Sequence, residues 1–342
     1  MDNRARCLSY LAAIAISLSP TGDLGGTSAL AQTTPNPANR VETTDLKAKA
    51  DELFQTGLEQ FRTGQFETSL ETYKQVLAIR RELDDEVGIA QTLNNMGDVY
   101  SDRGQYAEAL DVLQQALTIR RELRDRVGTS ETLNLIGFVY RRQKEYSEAL
   151  ELHEEALQQA QTSGDRRFVG ESLHNIAAVY SNQGQLDRAL DFYERAMTIR
   201  EEVGDRRDIG RTLNNMGAVY FNLGNYDRAL EIYQEALVIR KEIGDRAGVA
   251  RLLNNIAFLY RQQGDNSQAL TFFEEAISTL EQIADDSSLG RIYNVIAELY
   301  REEKQDSKAL EAYEKALLAA VKAEDRNSQI NALDYLADAY YK

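Results

Sequence analysis

The sequence predicts an all-α fold in which antiparallel helix pairs stack into an α-solenoid. One residue pattern returns every 40 residues from about position 85 to the end of the chain. Each unit of the pattern contains two apolar stripes with helical spacing. The three prolines, at positions 20, 35 and 37, all precede the repeats, so the repeats contain no residue that breaks a helix. A fixed period of this length is typical of a repeat array.

Three positions of the period hold a constant residue type, namely a tyrosine, an alanine that leucine follows, and an aspartate. The tyrosines are Tyr100, Tyr140, Tyr180, Tyr220, Tyr260, Tyr300 and Tyr340. The alanines are Ala109, Ala149, Ala189, Ala229, Ala269 and Ala309, and each is followed by leucine. The aspartates are Asp85, Asp125, Asp165, Asp205, Asp245, Asp285 and Asp325.

The unit that begins at Arg211 illustrates the two stripes. Its first stripe consists of Leu213, Met216, Gly217 and Tyr220, at the spacing of one helix face, and predicts the helix called helix A. A second stripe from Ala229 to Leu237 predicts helix B. Because the connection is so short, the two helices are expected to lie antiparallel, with Gly217 and Ala229 at their closest approach. One such hairpin leaves an apolar face uncovered, so each unit requires stacked neighbours.

The connections between units are also encoded. Glycine followed by aspartate occurs at 164–165, 204–205 and 244–245. Glycine suits the left-handed residue that ends a helix, and aspartate caps the start of the next helix. The loops between units are therefore expected to be very short.

These motifs resemble the tetratricopeptide repeat, which has a small residue before tyrosine on helix A and Ala-Leu motifs with an aromatic residue on helix B. The familiar unit has 34 residues and a proline that ends helix B, whereas Arg121, Lys241 and Glu281 stand there in this sequence. The long form is similar to the repeats of kinesin light chains and of G-protein signalling modulators. The resemblance covers about residues 46–342 and implies a right-handed superhelix. It says little about function, because this scaffold serves many processes.

Residues 1–31 have the layout of a signal peptide. A basic region with Arg4 and Arg6 precedes the apolar run 8–18, and Ala29-Leu30-Ala31 ends the segment. Cleavage after Ala31 would deliver the protein to a bacterial periplasm or the extracellular space. A retained anchor is disfavoured because the apolar run is too short to span a bilayer. A lipoprotein is disfavoured because Ala5-Arg6 precedes Cys7.

Residues 32–45 are polar, contain Pro35 and Pro37, and predict a flexible linker, with Asp45 as the N-cap of the first helix. Residues 46–342 then form the repeat array, with seven repeats and a terminal helix. The first repeat is degenerate, as is usual for a capping repeat. The terminal helix, 326–341, is a helix A without a helix B; it either caps the array or continues into a longer chain.

The sequence offers little for catalysis. Cys7 is the only cysteine and lies within the predicted signal peptide. His153 and His174 fall on different helices without spaced partners, so no metal site is expected. We identify no catalytic residue and no phosphate-binding loop, and we expect neither enzymatic activity nor a cofactor.

With 55 acidic and 39 basic residues, the net charge of −16 disfavours binding to nucleic acid and to anionic membranes. No apolar segment is long enough for a membrane span.

The family resemblance implies that helices A line a concave groove and that positions beside their core stripe face a bound peptide. Asparagines occupy these positions, and an amide suits an extended peptide backbone because it both donates and accepts hydrogen bonds. The predicted groove asparagines are Asn94, Asn134, Asn214, Asn215, Asn254, Asn255 and Asn294. An alternative stays open: Asn95, Asn215 and Asn255 could instead bond the backbone of a neighbouring repeat.

Charge changes sign along the predicted groove. Three residues before the asparagine position stand Gln91, Glu131 and Glu171 in the earlier repeats and arginine in the later ones. The predicted arginine ladder consists of Arg211, Arg251 and Arg291, with Arg261 and Arg301 one turn past the tyrosine. Arginine binds carboxylates through its planar fork. The alternative is pairing with acids of an adjacent repeat.

The sequence therefore favours an exported, non-enzymatic scaffold for protein–protein interaction that binds an extended, partly acidic peptide segment. A second hypothesis makes the array the recognition arm of a larger secreted peptidase or transferase. A third is homo-oligomerisation through the exposed C-terminal helix. Neither the identity of the partner nor the biological process follows from the sequence.

Overall fold

The computed structural model describes residues 37–340. The predicted signal peptide, 1–31, and the part of the predicted linker before Pro37 lie outside the described residues. The chain divides into one unit at Met1–Asp45 and a second at Leu46–Lys342. The described part of the first unit, 37–45, is helical. The second unit carries the repeats.

Fifteen α-helices and the short turns between them account for the described residues, among which there is no strand. Odd-numbered helices from α3 onward are helices A, and even-numbered helices are helices B. Their bounds are α1 Pro37–Arg62, α2 Phe66–Glu82, α3 Glu86–Asp102, α4 Tyr106–Glu122, α5 Arg126–Arg142, α6 Tyr146–Ser163, α7 Arg166–Asn182, α8 Leu186–Val203, α9 Arg206–Asn222, α10 Tyr226–Glu242, α11 Arg246–Gln262, α12 Asn266–Glu281, α13 Asp286–Glu302, α14 Asp306–Lys322 and α15 Arg326–Tyr340. The predicted all-α solenoid of stacked antiparallel helix pairs is confirmed.

The first helix starts earlier than predicted. It begins at Pro37, so Asp45 lies within α1 and is not its N-cap. Proline fits the first helical position because its missing N–H has no partner there in any case. After Pro37 no residue interrupts the helix, which explains why part of the predicted linker is helical.

The short connections between repeats are confirmed. Asp85 caps α3 by accepting a hydrogen bond from the backbone N–H of Gly88 at 3.0 Å, and aspartates cap the later helices A in the same way. Gly204 ends its helix with a φ of 76°, in the left-handed region. At the same point in other repeats the chain holds residues with side chains, namely Asp84, Arg124, Ala284 and Glu324, with φ between 50° and 54°.

Small residues bring the two helices of a repeat together. A Cβ atom on Gly217 would lie 2.5 Å from Cε1 of Tyr233, so the tyrosine ring of α10 packs directly on the backbone of α9. Ala229 and Ala236 of α10 are fully buried. The predicted close approach at Gly217 and Ala229 is therefore confirmed.

Candidate functional site

Helices A form the inner side of the stack. Successive helices A contact one another directly, as α3 does with α5, α5 with α7, α7 with α9 and α9 with α11. Successive helices B make no comparable contact within residues 37–340. The stack therefore curves toward helices A, and we call the surface formed by their partly exposed side chains the inner surface.

A cleft of about 530 Å³ opens in the inner surface between α11, α13 and α15. Its lining includes the polar side chains of Arg251, Asn254, Arg291 and Asn331 and the apolar side chains of Phe258 and Val295. Two carboxylates also line it, but Asp285 caps α13 and Glu298 pairs with Arg261. Three of these residues, Arg251, Asn254 and Arg291, were predicted from the sequence as groove residues. The cleft offers cations, an amide and an apolar surface side by side.

The arginines of the predicted ladder differ in how far they are already paired. Arg251 is exposed and forms no ion pair or hydrogen bond with any residue the structure describes. Arg291 donates to the hydroxyls of Ser287 and Ser288, at 3.2 and 3.0 Å, and to no carboxylate at ion-pair distance in the described range. Arg211 forms an ion pair of 3.2 Å with Asp208. Only Arg251 and Arg291 thus keep their charge available at the cleft.

The other two arginines of the prediction are engaged elsewhere. Arg261 pairs with Glu298 at 3.5 Å and with Glu302 at 2.9 Å, both on the next helix A. Arg301 lies over the ring of Tyr335, 4.4 Å from its centroid. The structure therefore confirms for Arg261 the alternative interpretation of the sequence, in which the arginine pairs with acids of an adjacent repeat.

The structure corrects the assignment of Asn94, Asn134 and Asn294 to a peptide groove. All three are buried, with 8% exposure or less, and bond the next repeat. Asn94 accepts from the hydroxyl of Thr132, and Asn134 donates to Ser172 Oγ at 2.9 Å. These amides link adjacent repeats through hydrogen bonds, because a buried asparagine side chain needs a hydrogen-bond partner.

The paired asparagines in the middle of the array remain partly exposed. Asn254 makes no side-chain hydrogen bond within the described residues and lines the cleft. Asn255 contacts Asn214 at 2.9 Å, and Asn215 contacts His174 at 3.2 Å. The second asparagine of each pair thus reaches back to a side chain of the preceding repeat, and not to its backbone as the alternative held. In α3, by contrast, Asn95 donates to the carbonyl oxygen of Gln91 in its own helix.

The earlier repeats present carboxylates on the same surface. Burial, together with the nearby Asp102, Glu131 and Glu171, raises the pKa of Asp98 to about 7. Burial likewise raises the pKa of Glu171, against the opposing effect of Arg211. Neither Asp98 nor Glu171 has an ion-pair partner among residues 37–340. On the inner surface α3 and α7 thus carry acids without an ion-pair partner in the described structure, whereas α11 and α13 carry arginines without a carboxylate partner there.

The two histidines are buried side chains of the stack. His153 packs on Gly137 and donates from Nδ1 to Oδ1 of Asn134 at 2.9 Å. Burial and, to a smaller extent, the charge of Arg141 lower the pKa of His153 to about 3. The pKa of His174 is also far below its ordinary value, through burial and then through Arg200. Within the described range no three metal-binding side chains converge, and no helix has the length and apolar character to cross a membrane.

A series of buried arginines was missed in the sequence. Arg80, Arg120, Arg200 and Arg240 lie in the last turns of the helices B α2, α4, α8 and α10, and each is at most 9% exposed. Each guanidinium contacts the first turns of the following helix A, as when Arg120 pairs with Asp125 at 2.6 Å. The sequence carried this signal in segments such as ALTIR at 116–120, since an arginine at a fixed phase of an apolar stripe indicates a structural role.

The terminal helix leaves apolar side chains exposed. Leu333 is 50% exposed, whereas the leucines at the same position from α3 to α11 are buried and Tyr293 of α13 is half-buried. Ile330 on the same helix is 54% exposed. In the other repeats helix B covers these positions, as Arg240 and Ile239 cover Gly210. Helix α15 has no helix B over this face among the described residues.

The chain belongs to the tetratricopeptide-repeat family. One family model described as tetratricopeptide repeat matches residues 57–122, 128–202 and 208–282, and a second with the same description matches residues 290–320. The resemblance deduced from the repeat motifs is thereby confirmed. A search of curated proteins finds no match.

Solved structures of the same fold include bacterial proteins. Aspartyl phosphate phosphatase F from Bacillus subtilis is 18% identical with a TM-score of 0.62, over 85% of this chain and 74% of its own. The Rap conjugation gene regulator of plasmid pLS20, in complex with the Phr* peptide, is 15% identical with a TM-score of 0.62, over 87% and 80%. BtubC from P. vanneervenii is 20% identical with a TM-score of 0.55, over 64% and 92%. At these identities the similarity concerns the fold alone.

Proposed function

We propose that this protein is an exported, non-enzymatic scaffold whose inner surface binds an extended, partly acidic segment of another protein. The observation that carries the proposal is the cleft between α11, α13 and α15. Arg251 and Arg291 stand there without a carboxylate partner in the described structure, beside the unengaged amide of Asn254. Charged groups left unpaired at a concave surface are typical of binding sites.

The chemistry of the cleft specifies what it would bind. The planar guanidinium of Arg251 suits a carboxylate, which it can bind through two parallel hydrogen bonds. The amide of Asn254 can both donate to and accept from a peptide backbone. Phe258 and Val295 line the cleft with apolar side chains. We therefore expect the segment to carry an acidic residue next to an apolar one.

The opposite end of the inner surface favours one direction of binding. Asp98 and Glu171 would repel an acidic residue, so the acidic part of the segment belongs over α11 to α15. Two structural neighbours, the Rap regulator of pLS20 and a Rap protein with competence and sporulation factor, are described as complexes with a peptide or factor. These complexes support peptide binding as a use that this fold can serve.

The test is an array of short immobilised peptides that differ in acidic and apolar content. The wild-type protein should bind peptides with an acidic residue beside an apolar one, and binding should weaken at high salt because salt screens charge attraction. Arg251→Ala combined with Arg291→Ala should weaken binding strongly and flatten its salt dependence. Glu235→Ala, on the outer side of α10, is the matched control and should bind as the wild type does. Equal loss in the control, or no selection for acidic peptides, would refute the proposal.

Export is proposed from the N-terminal sequence alone. Protein purified from its native host should begin at or near Gln32, as N-terminal sequencing would show. A chain that keeps Arg4 and remains in the cytosol would refute this part of the proposal without affecting the cleft.

Self-association through α15 is a further part of the proposal. Leu333 and Ile330 form an apolar face that helix B covers in the other repeats. A second copy could cover this face through a two-fold contact between the two α15 helices, in which each contributes the same residues. Sizing at low and high protein concentration should show a dimer that Leu333→Glu abolishes. A monomer at every concentration would exclude it.

A further inference from the structure

A row of polar side chains joins three successive helices A near the middle of the array. His174 lies on α7, Asn214 and Asn215 on α9, and Asn255 on α11. The contacts measure 3.2 Å between His174 Nε2 and the Asn215 amide, 3.2 Å between Asn215 and Asn214, and 2.9 Å between Asn214 and Asn255. We call these four residues the amide chain. It begins at a buried imidazole and ends at a partly exposed amide on the inner surface.

A buried arginine determines which nitrogen of His174 carries the proton. Nη1 of Arg200 lies 3.0 Å from Nδ1 of His174. A guanidinium has only hydrogen-bond donors, so Nδ1 accepts from it through its lone pair. The other neighbour of Nδ1, the Thr212 hydroxyl at 3.5 Å, is compatible with this because a hydroxyl can also donate. The imidazole is neutral, since burial and the charge of Arg200 lower the pKa of His174 far below its ordinary value. A neutral imidazole carries one N–H, and here it must be on Nε2.

The proton on Nε2 determines the direction of the whole chain. If Nδ2 of Asn215 faced Nε2, two donors would oppose each other at 3.2 Å. That is the order in which the structure places the amides, with Asn255 donating to Asn214 and Asn214 donating to Asn215. Half a turn of all three amides places Oδ1 of Asn215 at Nε2 instead, with almost no change in shape. Asn215 then donates from Nδ2 to Oδ1 of Asn214, and Asn214 donates to Oδ1 of Asn255. The hydroxyl of Tyr193 also bonds Asn215, and it can donate or accept in either arrangement.

We propose that His174 is a positioning residue that, through Arg200, orients the amide chain so that Asn255 presents its Nδ2 group to the inner surface. In this direction Oδ1 of Asn255 is occupied by Asn214, and the N–H groups remain for a ligand. The ligand atom that fits them is a carbonyl or carboxylate oxygen. Asn255 directly follows Asn254, which lines the cleft with Arg251, so we expect the donors to act on the same acidic segment. The direction of the chain is a property of the free protein; only the role of the donors depends on the proposed function.

The direction can be tested without any ligand. Long-range ¹⁵N–¹H correlation spectra of the free protein should show His174 protonated on Nε2. In the proposed direction Asn255 only accepts within the chain, so Asn255→Asp keeps that bond. Asn254→Asp adds the same charge at the neighbouring position and is the matched control. Asn255→Asp should unfold at the same temperature as the control or higher. A proton on Nδ1, or a clearly lower unfolding temperature for Asn255→Asp, would overturn the inference.

The role of His174 in binding is tested with a short fluorescein-labelled polyglutamate peptide. His174→Phe keeps the aromatic packing on Tyr193 but removes the N–H, and should weaken peptide binding about 2- to 10-fold, as expected for one hydrogen bond. His153→Phe replaces an equally buried histidine outside the amide chain and should leave binding unchanged. Equal affinities for the two variants would refute the positioning role. If the wild type binds no peptide, the proposed function fails, while the spectra and unfolding temperatures still decide the direction of the chain.

Discussion

Nη1 of Arg80 donates a hydrogen bond of 2.6 Å to the main-chain oxygen of Gly88, which ties the last turn of α2 to the first turn of α3. The same nitrogen also donates to the hydroxyl of Thr92 at 2.9 Å. Arg200 repeats this contact with the main-chain oxygen of Asp208 at 3.0 Å. Other repeats have Ala160, Leu280 or Ala320 at the same position, so only some junctions depend on an arginine.

Arg80→Ala should therefore destabilise the array. The substitution removes the guanidinium's hydrogen bonds to the Gly88 oxygen and the Thr92 hydroxyl and opens a cavity, so we expect a loss of about 2–4 kcal/mol in the free energy of unfolding. Urea denaturation followed by circular dichroism measures this loss. Arg81→Ala, at the exposed neighbouring position, should change stability by less than about 0.5 kcal/mol. Similar losses for both variants would show that the junction does not depend on the arginine.

Ala284→Gly should stabilise the protein. Ala284 ends its helix with a φ of 53°, a conformation that glycine adopts readily and that costs an L-residue about 1–2 kcal/mol. Glycine loses more freedom on folding, so the expected net gain is about 0.5–1 kcal/mol. Thermal unfolding should show a higher midpoint. The reverse change, Gly204→Ala, should lower it, and a fall with Ala284→Gly would contradict this account of the junctions.

Ala229→Leu should destabilise the middle of the array. Ala229 is fully buried where α9 and α10 meet, so a larger side chain overpacks the interface at a cost of about 1–3 kcal/mol. In a linear array the damage should spread first to adjacent repeats. Hydrogen exchange should show lost protection in α9 to α12 before the ends. Glu235→Leu introduces the same side chain at an exposed position of α10 and should leave protection unchanged.

The fold was predictable from the sequence because the same residue pattern recurs in successive repeats. Apolar spacing identified the helices, and aspartate after glycine identified the junctions. The start of α1 was not predictable in this way, since residues 37–45 lack the apolar stripe and resemble a linker by composition. Proline at the first helical position is equally compatible with a linker and with a helix.

The candidate site was predictable only in part. Periodicity placed Arg251, Arg291 and Asn254 on the inner surface, and the structure places them at the cleft. Periodicity could not show that Asn94 is buried and Asn254 is partly exposed, because burial at this position depends on the residues of the next repeat. Thr132 and Glu131 engage Asn94, whereas no residue in the described structure engages Asn254. Likewise the pairing of Arg261 depends on Glu302, which lies 41 residues later.

The last prediction concerns the acidic end of the inner surface. Burial and the neighbouring Asp102, Glu131 and Glu171 raise the pKa of Asp98 to about 7, from 3.8 for an unperturbed side chain. Between these two values the folded state binds a proton that the unfolded state has released. The contribution of Asp98 to stability is therefore greatest at low pH and falls as the pH rises toward about 7.

Asp98→Asn should abolish this dependence, because the amide carries no charge at any pH. We expect the variant to be more stable than the wild type by about 2 kcal/mol at about pH 8, and the difference to shrink on acidification toward about pH 5. Urea denaturation at a series of pH values measures the difference directly. Asp111→Asn, at an exposed position of α4, is the control and should parallel the wild type at every pH. An advantage of Asp98→Asn that stays constant with pH would contradict this account. In that case the ionised carboxylate of Asp98 does not lower the free energy of unfolding, and repulsion between Asp98 and Glu171 is not the source of the cost.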